Sequence, residues 1–334
     1  MTYDFVGKDP VLVTGAAGFI GFHTATRLLR RGETVVGIDN LNDYYDVTLK
    51  EARLKQLANF KHFTFVKQDI ADKEGMEKLW QERGSFRRVV HLAAQAGVRY
   101  SLKNPYAYIT SNCMGHLTVM EMCRHTENFT HLVYASSSSV YGGNKKLPFS
   151  VKDPVDLPIS LYAATKRADE LMSQAYAHLY NIPQTGLRFF TVYGPWGRPD
   201  MAPFIFTRSI IEGKPIEVFN KGDMKRDFTY IDDIVEGVLA TLDKPPIVEE
   251  GKPPHRVLNI GNTRSESLMD FITVIENEVG RKAQIEFKNM QAGDVKETYA
   301  DVSETTAVSG FNPKTTIKEG VPKLVEWYRD YYKV

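Results

Sequence analysis

Cysteine is almost missing from this chain: there are two in 334 residues. Cys113 and Cys123 fall on one predicted helix, about 15 Å apart along its axis, which is too far for a disulfide. A disulfide framework is therefore excluded, and a reducing compartment, the cytoplasm, is expected. Net charge is missing as well. Forty-two basic residues against 41 acidic ones leave +1, so no overall field draws the chain to nucleic acid or to an anionic membrane, and neither is expected as a partner. No apolar run reaches the length of a membrane-spanning helix. The opening stretch, MTYDFVGKDPVLVTG, lacks the basic region and apolar core of a secretory signal. Internal repeats and low-complexity tracts are absent too. What remains is 43% hydrophobic and 25% charged, the profile of a globular protein with one large domain or two ordinary ones.

Strand and helix patterns alternate along the first half. VLVTG reads as a short buried strand, and FIGFHTATRLLRRG as an amphipathic helix closed by Gly32. TVVGID, FTFVKQDI, RRVVHLAA, HLVYASS and TGLRFFTV read as further strands, separated by helical stretches. The longest of these are predicted over about 105–126 and 160–180. This rhythm predicts an α/β, Rossmann-type doubly wound parallel sheet with helices on both faces. After Val192 the rhythm weakens into GPWGRPDMAP, shorter elements, a Pro-rich linker and the strand RVLNIG, with three helices after it. A smaller C-terminal α/β domain for substrate is expected there. The boundary is placed between 1–190 and 191–334, with segments of chain crossing back.

The glycines of VLVTGAAGFIG, Gly15, Gly18 and Gly21, follow the first strand and open the first helix. Such a turn lets backbone approach a pyrophosphate, which the free N–H groups of the helix N-terminus attract. The spacing is G-x-x-G-x-x-G rather than G-x-G-x-x-G. Asp39 ends the second strand, where a carboxylate accepts from both ribose hydroxyls of NAD and repels the 2′-phosphate of NADP. Asp69 and Ile70, after the third strand, suit an adenine edge. Ala93 and Ala94, after the fourth, leave room for a ribose. Successive strand ends thus point to NAD.

YAATK places Tyr162 and Lys166 four residues apart on one helix face. An ammonium and a nicotinamide cation beside a tyrosine both favour phenolate. A phenolate can take the proton from a sugar hydroxyl while hydride leaves its carbon. Ser137, in YASSSSVYG, can hydrogen-bond the same oxygen.

TGAAGFIG, DNLNDYY, HLAAQAGVRYSLKNP, SSSSVYG, YAATK, RFFTVYGPWGRPDMA and RDFTYIDDIV together resemble the extended short-chain dehydrogenase/reductase family over essentially the whole chain. The resemblance is strongest to its nucleotide-sugar 4-epimerases, and among those to the UDP-glucuronate 4-epimerases. It implies that Ser137, Tyr162 and Lys166 are catalytic. It also implies a cofactor wall of Gly15, Gly18, Phe19, Ile20, Gly21, Asp39, Asn40, Asn42, Asp69, Ile70, Leu92, Ala93, Ala94, Gln95, Asn112 and Phe189, beside Tyr162 and Lys166. For a UDP-sugar it implies Arg226 at the pyrophosphate, Asp294 at a ribose or an arginine, Phe219 and Lys214 along the uracil and phosphate path, and Arg198 and Arg99 nearby. No metal is implied. The long helix near 105–126 and the Tyr162 helix resemble those that pair across a two-fold axis in the family, so a homodimer is expected.

The serines narrow the chemistry. Sugar 4,6-dehydratases of the family place an Asp–Glu pair just before V-Y-G, and UDP-glucuronate decarboxylases a Glu. Here Ser138 and Ser139 stand there. Oxidising UDP-glucuronate at C4 makes a β-keto acid, which loses CO2 when its carboxylate bond lies perpendicular to the carbonyl plane. Short hydroxyls can hold that carboxylate without supplying a proton, and Ser138, Ser139 and Thr191 are expected to form such a cradle. A UDP-glucose/UDP-galactose or N-acetylhexosamine 4-epimerase, a UDP-glucuronate decarboxylase, and a non-catalytic NAD-binding scaffold remain the alternatives.

Overall fold

A computed structural model describes residues 9–83, 86–291 and 295–334. Its centre is a sheet of seven strands: β1 (Val11–Thr14), β2 (Val35–Asp39), β3 (Phe63–Lys67), β4 (Arg88–His91), β5 (His131–Ser137), β6 (Gln184–Phe189) and β7 (His255–Ile260). Every neighbouring pair is parallel, in the order β7-β6-β5-β4-β1-β2-β3. The doubly wound sheet read from the sequence is present. The short apolar runs became strands because both faces of a parallel sheet are covered. Val11, Val13, Val90 and Val133 pack into one core layer, and the alternating Leu12, Val36, Val89 and Leu132 into the other. The strand order reverses between β1 and β4, so the crevice at the carboxyl ends of the strands opens there.

Two elements differ from the sequence reading. The RVLNIG strand, expected in the smaller domain, is β7 and pairs with β6 along its whole length, His255 with Gln184 through Ile260 with Phe189. Residues beyond 190 therefore complete the first domain's sheet. The single helix expected over 105–126 is broken into α-helical Pro105–Tyr108, a π-helical turn at Ile109–Met114, and α-helical Gly115–Arg124. The wider turn puts the buried Asn112 side chain between the loop after β4 and the neighbouring helix Leu161–Tyr180. It donates to Gln95 O (3.1 Å) and Thr165 Oγ1 (2.9 Å) and accepts from Gln95 N (2.8 Å). That helix starts where Ser160 caps Ala163 N (3.1 Å) and ends at left-handed Asn181.

The rest of the C-terminal chain builds three two-stranded pairs and five α-helices among the described residues. None of the helices is long and apolar enough to cross a membrane, among the described residues. Cys113 and Cys123 are both free thiols.

Candidate active site

Two adjoining cavities open along the carboxyl edge. The first begins at the glycine turn. Gly15 has φ +71°, and a Cβ on it would stand 2.9 Å from Ala93 N. A Cβ on Gly21 would stand 2.0 Å from Gly15 O, so the helix Phe19–Arg30 can start against the turn only if both positions are bare. Gly18 is its N-cap and offers no side-chain acceptor. The first N–H groups of the helix are therefore left for a ligand in the cavity that Gly15, Gly18, Phe19, Ile20 and Gly21 line.

Asp39 lies at the next strand end, 8% exposed. Its Oδ1 accepts from Leu41 N (2.9 Å) and stands 3.7 Å from Lys50 Nζ. Lys50 also donates to Asn42 O (2.9 Å) and Asn42 Oδ1 (3.0 Å), so it staples the loop after β2. Burial lowers the Lys50 pKa, against the pull of Asp39. Asn40 donates to Asp69 Oδ2 (2.9 Å) and thereby ties the ends of β2 and β3 together. Thr14 Oγ1 accepts from Leu92 N (3.1 Å) and Ala93 N (3.0 Å), which fixes the chain leaving β4. Asn40, Asn42, Asp69, Ile70, Leu92, Ala93, Ala94, Gln95 and Phe189 all line this cavity.

Tyr162 and Lys166 enter the cavity from the helix opposite. The Tyr162 ring meets Tyr108 edge-on at 6.0 Å. Lys166 Nζ donates to Ala135 O (2.9 Å) and to Asp169 Oδ2 (3.0 Å). Burial works to lower the Lys166 pKa, but Asp169 and Tyr162 together keep it raised, so the side chain is an ammonium. Of the four serines, Ser136 donates to Glu170 Oε1 (2.6 Å) and belongs to the scaffold. Ser137 accepts from Ser139 N (3.1 Å) and faces the cavity with Ser138 and Ser139.

The second cavity runs from this point toward the C-terminal portion, past Arg99, Phe219 and Arg226. The Arg99 guanidinium stacks 4.7 Å from the Phe219 ring centre. Seven described residues line both cavities: Tyr44, Gly97, Val98, Ser138, Ser139, Thr191 and Met201. This seam carries four hydroxyls and no carboxylate.

The model of the NAD dependent epimerase/dehydratase family matches residues 11–261, three quarters of the chain. The chain belongs to that family. It is 45% identical to the probable UDP-glucuronate 4-epimerase of Rhizobium meliloti, over 96% of this chain and 97% of that one. To UDP-glucuronate 4-epimerase 4 of Arabidopsis thaliana it is 48% identical, over 96% of this chain and 76% of the other. The crystal structure of UDP-glucuronic acid 4-epimerase from Bacillus cereus with UDP-glucuronic acid and NAD superposes with a TM-score of 0.87. That structure is 35% identical to this chain and covers 97% of it and 100% of its own length.

For this member of the epimerase/dehydratase family, most of the described residues singled out in the sequence meet at the two cavities, and two do not. Asn112 is 1% exposed and does not line either cavity. It clamps Gln95 to Thr165, and Ser111 takes its place on the wall. Lys214 is an exposed side chain paired with Glu212 at 2.7 Å and lines neither cavity, although the next residue, Pro215, lines the second. Asp294 lies outside the described residues. Arg198 lines the cofactor-side cavity rather than the UDP-side one, with its fork on Asp200 (Nε–Oδ1 3.0 Å, Nη2–Oδ2 2.6 Å).

Sequence reasoning missed four residues. Tyr44 and Tyr45 line the cavity from the DNLNDYY loop, and Tyr44 donates to Asp200 Oδ2 (2.9 Å) from the far half of the molecule. Lys50 holds the same loop. Arg53, wholly buried, donates to Ala17 O (2.8 Å), Tyr45 Oη (3.0 Å), Trp196 O (2.7 Å) and Gly197 O (3.2 Å). The signal for Arg53 was there: Leu49, Arg53 and Leu57 fall at i, i+4 and i+8, which puts the arginine on the core face of its helix.

Proposed function

We propose that this chain is a UDP-glucuronate 4-epimerase, interconverting UDP-glucuronate and UDP-galacturonate through a 4-keto sugar with bound NAD. The observation that carries this reading is the seam between the cavities, where Ser138, Ser139 and Thr191 gather and no acid stands among them.

The residues present fit a dinucleotide. The glycine turn is a cradle that any Cβ would fill, and the uncapped helix start faces it. Asp39 offers a buried carboxylate at the ribose position, and Lys166 has a third N–H besides those given to Ala135 and Asp169. Gly15, Gly18 and Gly21 would hold the pyrophosphate, Asp39 the adenosine ribose, and Lys166 the nicotinamide ribose. Bound there, NAD accepts the C4 hydride and later returns it.

The chain's own residues do the rest. Tyr162 takes the O4 proton as the hydride leaves and gives it back as the hydride returns. Ser137 hydrogen-bonds the same oxygen. Arg226, Arg99 and Phe219 hold the UDP portion, a guanidinium fork suiting two phosphate oxygens. The 4-keto sugar turns about its pyrophosphate bonds and presents its other face. Meanwhile Ser138, Ser139 and Thr191 hold the carboxylate near the carbonyl plane, the geometry in which CO2 loss is disfavoured, and no carboxylic acid stands among them at the seam.

A homodimer and a cytoplasmic location complete the proposal. The helix Leu161–Tyr180 leaves Leu171 and Leu179 exposed at 54% and 63%, and the π-helical turn that leads into the adjoining helix Gly115–Arg124 leaves Met114 exposed at 51%, apolar groups suited to a second copy. Leu171→Glu with Leu179→Glu is expected to convert the dimer to monomer in sedimentation. An unchanged mass would refute this pairing.

The deciding experiment is an NMR time course of the purified protein with UDP-glucuronate, and in parallel with UDP-glucose, without added NAD. UDP-galacturonate should form from the first and little or nothing from the second. Faster turnover of UDP-glucose, or UDP-pentose as the main product, overturns the reading. Tyr162→Phe should cut kcat by at least about 100-fold with NAD still bound.

A further inference from the structure

Two acids stand side by side on the Leu161–Tyr180 helix, and their surroundings differ. Glu170 is fully engaged. Both its oxygens take Arg188 (2.8 Å each), with Ser136 at 2.6 Å and Arg167 at 3.1 Å besides. Burial opposes its charge, yet these partners hold the Glu170 carboxyl below the usual range. It is a structural junction between the helix and the sheet.

Asp169 is as deeply buried, at 1% exposure, but it makes a single hydrogen bond. Its Oδ2 accepts from Lys166 Nζ at 3.0 Å, and its Oδ1 is buried without a hydrogen-bond partner. Burial pushes its carboxyl up to about 6, against the pull of Lys166. A half-satisfied buried carboxylate is costly, and an apolar residue of similar size avoids the cost. Packing alone gives no reason for an acid here.

The geometry at Lys166 supplies one. A lysine side chain is a flexible four-carbon stem with a point charge at its end. One acceptor, the Ala135 carbonyl, lets the ammonium swing about that contact. A second acceptor one turn along the same helix fixes it, leaving the third N–H on the side of the cavity that Lys166 lines.

We propose that Asp169 is a positioning residue for the hydride-transfer site: it holds the Lys166 ammonium against the Ala135 carbonyl so that one N–H is aimed at the cofactor and at Tyr162. It touches neither substrate nor cofactor and acts only through Lys166. This rests on the reading of the site given above, and it deepens that reading by adding a residue outside the Tyr–Lys pair.

The test compares Asp169→Ala, Asp169→Asn, Lys166→Met and the double variant Asp169→Ala/Lys166→Met as purified holoenzymes. Measured for each are kcat, KM for the sugar nucleotide, and NAD retained per chain. Asp169→Ala should lose about 100-fold in kcat, the cost of a misplacement of about 1 Å, with KM little changed and less NAD retained. Asp169→Asn keeps an acceptor oxygen for Lys166 and should recover most of that loss. In the Lys166→Met background the alanine change should add nothing, because its only route of action is gone. Parent-like kcat in Asp169→Ala, an equal further loss in the double variant, or an Asn variant as impaired as Lys166→Met each overturns the proposal. If the alanine variant does not fold, the Asn variant against Lys166→Met decides. If the substrate reading fails and UDP-glucose is the better substrate, the same comparison is made with UDP-glucose. If neither sugar turns over, matched loss of NAD from Asp169→Ala and Lys166→Met still supports the tether, and unmatched loss rejects it.

Discussion

In the proposed reaction, Ser138 and Ser139 would do with neutral hydroxyls what a charged side chain would do too strongly. The 4-keto uronate must be gripped by its carboxylate yet kept from losing CO2, and an acid at either position would offer the proton that decarboxylation needs. Replacing both serines by alanine leaves Thr191 as the one hydroxyl of the proposed grip and keeps Tyr162, Lys166 and Ser137 in place. The double variant should therefore release a larger share of UDP-pentose per turnover, read by NMR of the product mixture. A product ratio equal to the parent's would show that the hydroxyls do not restrain the acid group. The place of the two serines on the cavity wall was legible in the sequence because it is local, beside V-Y-G at the end of an apolar strand. Lys50 and Tyr44 were not. Their roles depend on contacts with Asp39 and, across 156 residues of sequence, with Asp200, and no periodicity records such pairs.

At the level of elements, the βα alternation was readable because each strand is a short apolar run closed by turn residues. The π-helical turn at Ile109–Met114 was not. Hydrogen-bond register inside a helix leaves little trace in the spacing of apolar residues, and only the wall residue changes, from Asn112 to Ser111. The helix Val47–Leu57 carries the more testable feature. Through Arg53 it joins the glycine turn at Ala17 to the Trp196–Gly197 segment of the opposite half. Arg53→Met keeps the stem and removes every donor, leaving buried carbonyls unpaired at about 1–3 kcal/mol apiece. A fall of several kcal/mol in unfolding free energy, by urea titration, together with weaker retention of NAD, is the expected result. Parent-like values of both would show that the arginine is dispensable.

Across the whole molecule, the histidines decide the response to acid. Burial lowers His23, His131 and His255 to about 4, His91 to about 3, and His116 well below its usual value. Each is held neutral in the fold, so its contribution is complete above the unfolded pKa of 6.5 and is lost as pH falls toward the folded value, since the unfolded chain takes the proton first. Asp169 and Asp227, both raised by burial to about 6, act the other way over the same range, but the five histidines outnumber them. The urea midpoint should drop between pH of about 6.5 and about 4. A midpoint that holds or rises on acidification would contradict these burials.

One strand has a consequence for how the molecule is made. Because His255–Ile260 closes the outer edge of the parallel sheet beside Gln184–Phe189, a ribosome must deliver more than three quarters of the polypeptide before the last ladder of that sheet can zip. Until then the Gln184–Phe189 strand is a bare edge with open N–H and C=O groups. A gene truncated at the apparent domain boundary would therefore yield an incomplete, adhesive sheet rather than a free-standing nucleotide-binding module.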